Sequence, residues 1–140
     1  MKLYVKIALF VVVFIAISGI LAALYLYNLK HTDMAKAKPD FIITATALQK
    51  EFEENEVSAS SKYNNKILEV TGFLESLTQA DSSNLSLSIK TSNDMSSVIC
   101  TFATIPDPSK LKTGDEITIR GECSGFLMDV LLNNCAIILK

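Results

Sequence analysis

Residues 66–77, KILEVTGFLESL, alternate apolar and polar side chains with a period of two. Ile67, Glu69 and Thr71 fall on one side, and Leu68, Val70 and Gly72 on the other. Successive side chains of a strand point to opposite faces, so this pattern predicts a half-buried strand. Gly72 inside it marks a bulge or a sharp bend. The same period recurs downstream. LSLSIK (85–90) groups Leu85, Leu87 and Ile89, and SVICTF (97–102) groups Val98, Cys100 and Phe102. EITIRGEC (116–123) groups Ile117, Ile119, Gly121 and Cys123. DVLLNNCAIIL (129–139) reads as a fifth strand with a defect. Val130 and Leu132 share one parity, whereas Cys135, Ile137 and Leu139 share the other. A bulge near Asn133 and Asn134 reconciles them. Between the strands, IPDPSKLKTGD (105–115) reads as a loop or single helical turn, and GFLM (125–128) as a turn. Five strands averaging about six to eight residues, two of them long and bent at glycine, suit a closed barrel better than a sandwich. Closure removes the exposed edges.

Upstream, TATALQKEFEENEVSASSKY (44–63) carries a helical period. Thr46 is placed to cap it, with Gln49 three residues on completing a capping box. Leu48 and Phe52 lie on one face. Glu51, Glu53, Glu54 and Glu56 read as a solvated acidic face. Asn55 bends the chain into a second short helix with Val57, Ala59 and Tyr63 inward. Leu48, Phe52 and Tyr63 then plug one end of the barrel, which is an OB-like arrangement.

The chain begins differently. Residues 7–27, IALFVVVFIAISGILAALYLY, contain no charge. About 20 apolar residues cross a bilayer as a helix. In lipid such a helix forms despite its β-branched residues, because the backbone must be satisfied internally. Tyr4, Tyr25 and Tyr27 sit at its ends, where amphipathic rings favour the interface. The stretch is longer than a cleaved signal needs, and the small-x-small spacing is poor near its end. An uncleaved anchor over residues 1–29, a polar linker over 30–40 and one barrel domain over 41–140 follow. His31 reads as a solvated linker residue. A short N-terminus before a first span usually stays in the cytoplasm. The domain is therefore expected outside it, on a bacterial inner membrane.

The pieces NEVSASSKYNNKILEVTGFL, VICTF and LKTGDEITIRGECSGFLMDVLLNNC resemble the tRNA-anticodon-like OB-fold family of small bacterial envelope proteins and candidate lipoproteins. The most specific parts are Asn55-Glu56 with Lys62-Tyr63, Val70-Thr71-Gly72, and Gly121 to Cys135 with its Asp129-Val130 step. The resemblance covers residues 45 to 140. It implies a five-stranded OB barrel behind an N-terminal helix, in agreement with the periodicity. The family name reflects fold similarity to tRNA-binding domains. This chain lacks a cysteine just after the apolar run, since its first is Cys100, so its helix would replace the lipid anchor.

Charge weighs against nucleic acid. Residues 39–140 hold eight Lys and Arg against fourteen Asp and Glu, a net charge of −6. A domain of that sign repels a phosphate backbone unless its cations cluster. Lys90, Lys110, Lys112 and Arg120 are the four available for a cluster. The strands at 85–101 offer no aromatic platform for stacked bases. Catalysis finds little support either. His31 is the single histidine and lies outside the domain, no Gly-rich phosphate loop is present, and Glu122 and Asp129 read as surface and turn residues.

Cys100, Cys123 and Cys135 all fall on inward positions. Cys123 and Cys135 lie on one hairpin and are the first pair expected to bridge outside the cytoplasm. Such a loop of about a dozen residues adds roughly 3 kcal/mol in the chain-entropy model. A different pairing, or three buried thiols acting as small apolar residues, are the alternatives. A zinc site would need a fourth ligand that no domain histidine supplies, so no metal or cofactor is expected.

The sequence thus points to a membrane-anchored OB-fold binding module of the bacterial envelope. A protein, peptide or glycan partner would dock on loops 78–84, 105–114 and 125–128. Phe126, Leu127 and Met128 are the candidate contact residues; the competing reading folds them back over the barrel mouth. The alternative function is a nucleic-acid-binding OB domain facing the cytoplasm.

Overall fold

The computed structural model describes residues 1–28, 33–81, 84–102 and 104–138. The chain forms two units, residues 1–31 and 32–140. In the first, Lys2–Asn28 is one helix, α1, long and apolar enough to cross a membrane. Its uncharged stretch of 21 residues spans about 31 Å at 1.5 Å per residue, close to a bilayer's hydrocarbon thickness. The hydroxyl of Ser18, a polar group inside that stretch, donates to the Ile15 carbonyl at 2.9 Å. His31 lies outside the described residues.

The second unit is a five-stranded closed barrel with a short extra strand and two helices. Its elements run β1 (Phe41–Thr44), α2 (Ala45–Glu54), α3 (Glu56–Tyr63), β2 (Ile67–Asp81), β3 (Asn84–Lys90), β4 (Ser97–Phe102), β5 (Glu116–Leu127) and β6 (Asp129–Ile138). The strand order is β1-β2-β3-β4-β6-β5, and β5 returns to β2 to close the ring. This is the OB arrangement that the strand pattern implied. β2 serves two partners. Its first half pairs β5 from Ile67↔Glu122 to Phe73↔Glu116, and its second half pairs β3 from Leu74↔Ile89 onward. Gly72 sits just before the handover. A Cβ there would collide with the Ile89 side chain and stand 3.0 Å from Ala45. Only glycine lets the bent strand approach α2 and β3 so closely.

The inward sets are those the alternation defined. Leu68, Val70, Leu87, Ile89, Val98, Cys100, Ile119, Cys123 and Leu132 are buried in one core. The bulge expected in β6 is present. Arg120 pairs Ala136 and Glu122 pairs Asn133, so β6 carries one extra residue, and Asn134 adopts a φ of 51°. The extra residue turns Cys135 inward. The 105–115 segment contains one 3₁₀ turn, Pro108–Lys110, capped by the Asp107 carboxylate.

Four expectations change. Thr44, not Thr46, caps α2, accepting from the Ala47 N–H at 3.3 Å. Gln49 is consequently not a capping-box residue. Val57 is exposed, whereas Ala59 and Tyr63 face inward. Residues 125–128 are not a loop. β5 runs on to Leu127, and Met128 alone, with φ 68°, joins it to β6. Finally, the described part of the expected linker is folded onto the barrel. Residues 34–37 form a turn, Met34 is buried, and the Arg120 guanidinium donates to the carbonyls of Met34, Ala35 and Ala37 at 3.4, 3.1 and 2.6 Å. Glu69 neutralises Arg120 across the β2–β5 pair at 2.6 Å, with both side chains largely buried. Asp40 then clamps Ile67, donating its own N–H to the Ile67 carbonyl while its carboxylate accepts from the Ile67 N–H.

Two outcomes follow. Gly72→Ala lowers the unfolding free energy of the barrel by about 1–3 kcal/mol in urea titration of the detergent-solubilised chain. Gly19→Ala, in α1 and outside the barrel unit, leaves that value unchanged. Arg120→Ala strips Glu69 of its partner and costs about 3 kcal/mol. It also accelerates trypsin cleavage after Lys36; unchanged cleavage would contradict the clasp.

Candidate functional site

Parallel pairing decides which loops meet. β6 runs parallel to β4, with Val98 opposite Val130 and Cys100 opposite Leu132. The Leu127-Met128-Asp129 tip therefore lies beside the start of β4 and the 91–96 loop. The 105–114 loop and the strand ends around Asp81 and Asn84 lie at the other end. The three loops expected to share one face thus do not; residues 82 and 83 of the first lie outside the described residues. Residues 91–96, absent from that set, are the true neighbours of the tip.

α2 and α3 close the same end. Phe52 stacks on Phe126 with ring centroids 5.4 Å apart, and Tyr63 packs against Phe52 and Phe41. Phe126 is thus folded back as part of the plug. Lys62 and Tyr63 both donate to the Glu51 carboxylate, at 2.9 and 2.8 Å. The Lys62 hydrogen bond, foremost, holds the Glu51 carboxyl below its ordinary value, and burial pushes the Tyr63 phenol up.

A polar frame fixes the two loops to α2. Buried Gln49 donates through Nε2 to Ser96 Oγ at 2.6 Å, to Glu53 Oε1 at 3.1 Å and to the Met128 carbonyl at 3.5 Å. Its Oε1, also buried, accepts no hydrogen bond among the described residues. Turning the amide over would set that oxygen against the Glu53 carboxylate and the Met128 carbonyl, so the orientation is determined. Asn93 also donates to Glu53, at 2.9 Å. Within the loop, Thr91 Oγ1 donates to the Ser96 carbonyl. Asp129 accepts from the Ser97 N–H at 2.7 Å and from its hydroxyl at 3.2 Å. Asp129 is therefore occupied in joining β6 to β4.

Three large apolar side chains stand outside this frame. Met95 is 81% exposed, Leu127 78% and Met128 71%. Of the expected contact residues, Leu127 and Met128 are held out into solvent, Phe126 is turned in, and Met95 joins the exposed pair. Contiguous apolar surface held out to solvent is a common mark of an interaction site. At the far end a groove of about 420 Å³ is lined by Lys110, Asp115, Glu116, Thr118 and Ile137 among others.

The other expected sites are placed as follows. All three cysteines are free and buried. Cys123 lies opposite Leu132, not Cys135, because the β5–β6 register sets Gly121 beside Cys135. The four cations do not form a cluster for phosphate. Arg120 is engaged by Glu69, and Lys90 lies 3.9 Å from Asp94. The outer faces of β3 and β4 present Ser86, Ser88, Ser97, Ile99 and Thr101, none aromatic.

The profile of the tRNA_anti-like family matches residues 1–137. The chain belongs to the tRNA_anti-like family. That agrees with the resemblance carried by its strand and hairpin motifs. No curated protein matches the sequence. Among solved structures, this tRNA_anti-like chain is similar to a candidate nucleic acid-binding lipoprotein of Klebsiella pneumoniae, at 19% identity and a TM-score of 0.57, over 69% of this chain and 91% of that one. An Entamoeba histolytica asparaginyl-tRNA synthetase matches at 10% identity and 0.46, over 72% of this chain and 24% of the synthetase. OBody NL8, solved bound to hen egg-white lysozyme, matches at 17% and 0.37, over 53% and 96%. At 19% identity the Klebsiella likeness shows the fold alone.

The frame has a pH signature. Hydrogen bonds from Asn93, then Gln49, with a smaller one from Ser96, hold the Glu53 carboxyl below its ordinary 4.5. A depressed folded value means that the carboxylate's support is present above pH 4.5 and is lost as pH falls through the folded value. Amide protection factors in 91–96 are expected to drop in that acid range before those of β5 do. Glu53→Gln reproduces the drop at pH 7. Equal protection in the variant and the parent chain would show that the carboxylate does not hold the loop.

Proposed function

We propose that this chain is a membrane-anchored OB-fold module of the bacterial envelope that binds a protein partner through Met95, Leu127 and Met128. The observation that carries the reading is the exposure of these three side chains on a frame of partly buried hydrogen bonds. Thioether and aliphatic groups adapt well to protein surfaces. Glycans and single-stranded nucleic acids are held largely by aromatic stacking, and this tip exposes no aromatic ring. The anchor reading rests on the length and apolarity of α1. The outward placement of the barrel rests on the short N-terminus before it. Binding without catalysis fits the engagement of Asp129 with Ser97 and the absence of a histidine from the barrel unit.

A second reading is favoured by the name of the Klebsiella lipoprotein, which points to nucleic acid. Against it stand the net charge of −6 over residues 39–140, the pairing of Arg120 with Glu69, and a β3–β4 face of serines, isoleucine and threonine.

Photo-crosslinking residues placed singly at Leu127, Met128 and Ser88 of the full-length chain in cells separate the two. The protein-binding reading expects one discrete crosslinked protein from Leu127 and Met128 and none from Ser88. A nuclease-sensitive adduct from Ser88 would overturn it. Leu127→Asp with Met128→Asp is expected to abolish capture from a crosslinker at Met95 while shifting stability by no more than about 0.5 kcal/mol, as for other exposed positions.

A further inference from the structure

We infer that Cys100 and Cys135 are a disulfide-forming pair, with Cys123 as the thiol left free. Three features of the barrel wall converge on them. β4 and β6 are paired neighbours, with Cys100 opposite Leu132 and Phe102 opposite Cys135, and Cys100 faces the core. The extra residue in β6 then brings Cys135 onto the same inner face; without it, Cys135 would point outward. Gly121, on the other side of β6, has no side chain where one would meet the Cys135 sulfur, since a Cβ there would stand 2.5 Å from Sγ. The Cys135 thiol lies near enough to act on the ionisation of Cys100. Cys123 is placed differently. It lies on β5, on the other side of β6 from Cys100, and its Sγ is directed to Asn64 Oδ1 at 3.8 Å.

The reaction is exchange with an oxidised dithiol carrier, the class of oxidant that acts outside the cytoplasm. The Cys135 thiolate attacks one sulfur of the carrier's disulfide. A mixed disulfide forms and the carrier's other sulfur leaves as a thiolate. The Cys100 thiolate then attacks the Cys135 sulfur, the Cys100–Cys135 bond forms, and the carrier leaves as its dithiol. The protein loses two protons and two electrons, and the carrier gains both. The neighbouring Cys135 thiol, together with burial, pushes the Cys100 thiol well above its ordinary value. The closed barrel therefore keeps the pair unreactive, and exchange belongs to the stage before closure. Once made, the bond ties β4 to β6, the two strands whose first residues, Ser97 and Asp129, seat the apolar tip.

The test refolds the full-length chain from denaturant into detergent with oxidised and reduced glutathione as the probe couple. Free thiols are then alkylated under denaturing conditions, and the peptides are mapped. The expected product has Cys100 linked to Cys135 and only Cys123 alkylated, and melts at least about 5 °C above the reduced chain. Cys123→Ala retains the link, whereas Cys135→Ala leaves both remaining thiols alkylated. The same mapping on full-length protein extracted from membranes without reductant provides a readout independent of refolding. A link that includes Cys123, or three alkylated thiols in both preparations, overturns the inference.

Discussion

One strand has to pair with two others on the way to closing the sheet, and the rest of the fold is arranged around that requirement. β2 holds β5 along its first half and β3 along its second. It manages this by bending after Gly72, the position where a side chain would strike Ile89 and crowd Ala45. Closure of the ring satisfies the strand edges, but it leaves two open ends lined by apolar side chains. At one end α2 and α3 supply Leu48, Phe52 and Tyr63 as the plug. β1 and the turn before it are drawn onto the outer wall by Arg120, Glu69 and Asp40.

The plugged end is also where the chain makes its least generic arrangement. A barrel loop is ordinarily free to vary, since little of it is buried. Here the 91–96 loop and the β5–β6 tip are both hydrogen bonded to α2 or to each other, through Gln49, Glu53, Ser96 and Asp129. Gln49 makes these bonds with one side of its amide, while its buried Oε1 accepts nothing among the described residues. Such an imbalance costs stability unless the placement serves something else. What it achieves is a fixed stage for Met95, Leu127 and Met128. A partner meeting a fixed stage has less side-chain and loop entropy to remove on binding.

The strands were legible in the sequence because a half-buried strand writes its burial into every second residue. That held even for the β6 defect, where the parity change between Leu132 and Cys135 located the bulge near Asn133 and Asn134. The membrane-length helix was legible for the same reason of uniform composition. What was hidden depends on which distant residues meet. Met34 is one apolar residue in a polar run, and nothing local says that Arg120 will collect the carbonyls around it. Thr44 and Thr46 are equally good caps until β1 fixes where the extended chain ends. Gln49 and Glu53 look like ordinary helix-surface residues, because their partners Ser96 and Asn93 are 47 and 40 residues away. The contact loops were assigned to a common end without the parallel pairing of β4 and β6, which sends two of them to the opposite end. The same pairing, with the bulge, explains why Cys135 meets Cys100 rather than its hairpin companion Cys123.

The central claim is that the apolar tip is a preformed surface and not a loose loop. Backbone ¹⁵N relaxation of the full-length chain in detergent micelles tests it directly at Met95, Leu127 and Met128. The account predicts order parameters of about 0.85, equal to those of the flanking strands, together with a fall at Met95 and Met128 in Gln49→Ala. Values below about 0.6 in the parent chain would contradict it, because a tip moving on that scale is not held by the Gln49 frame.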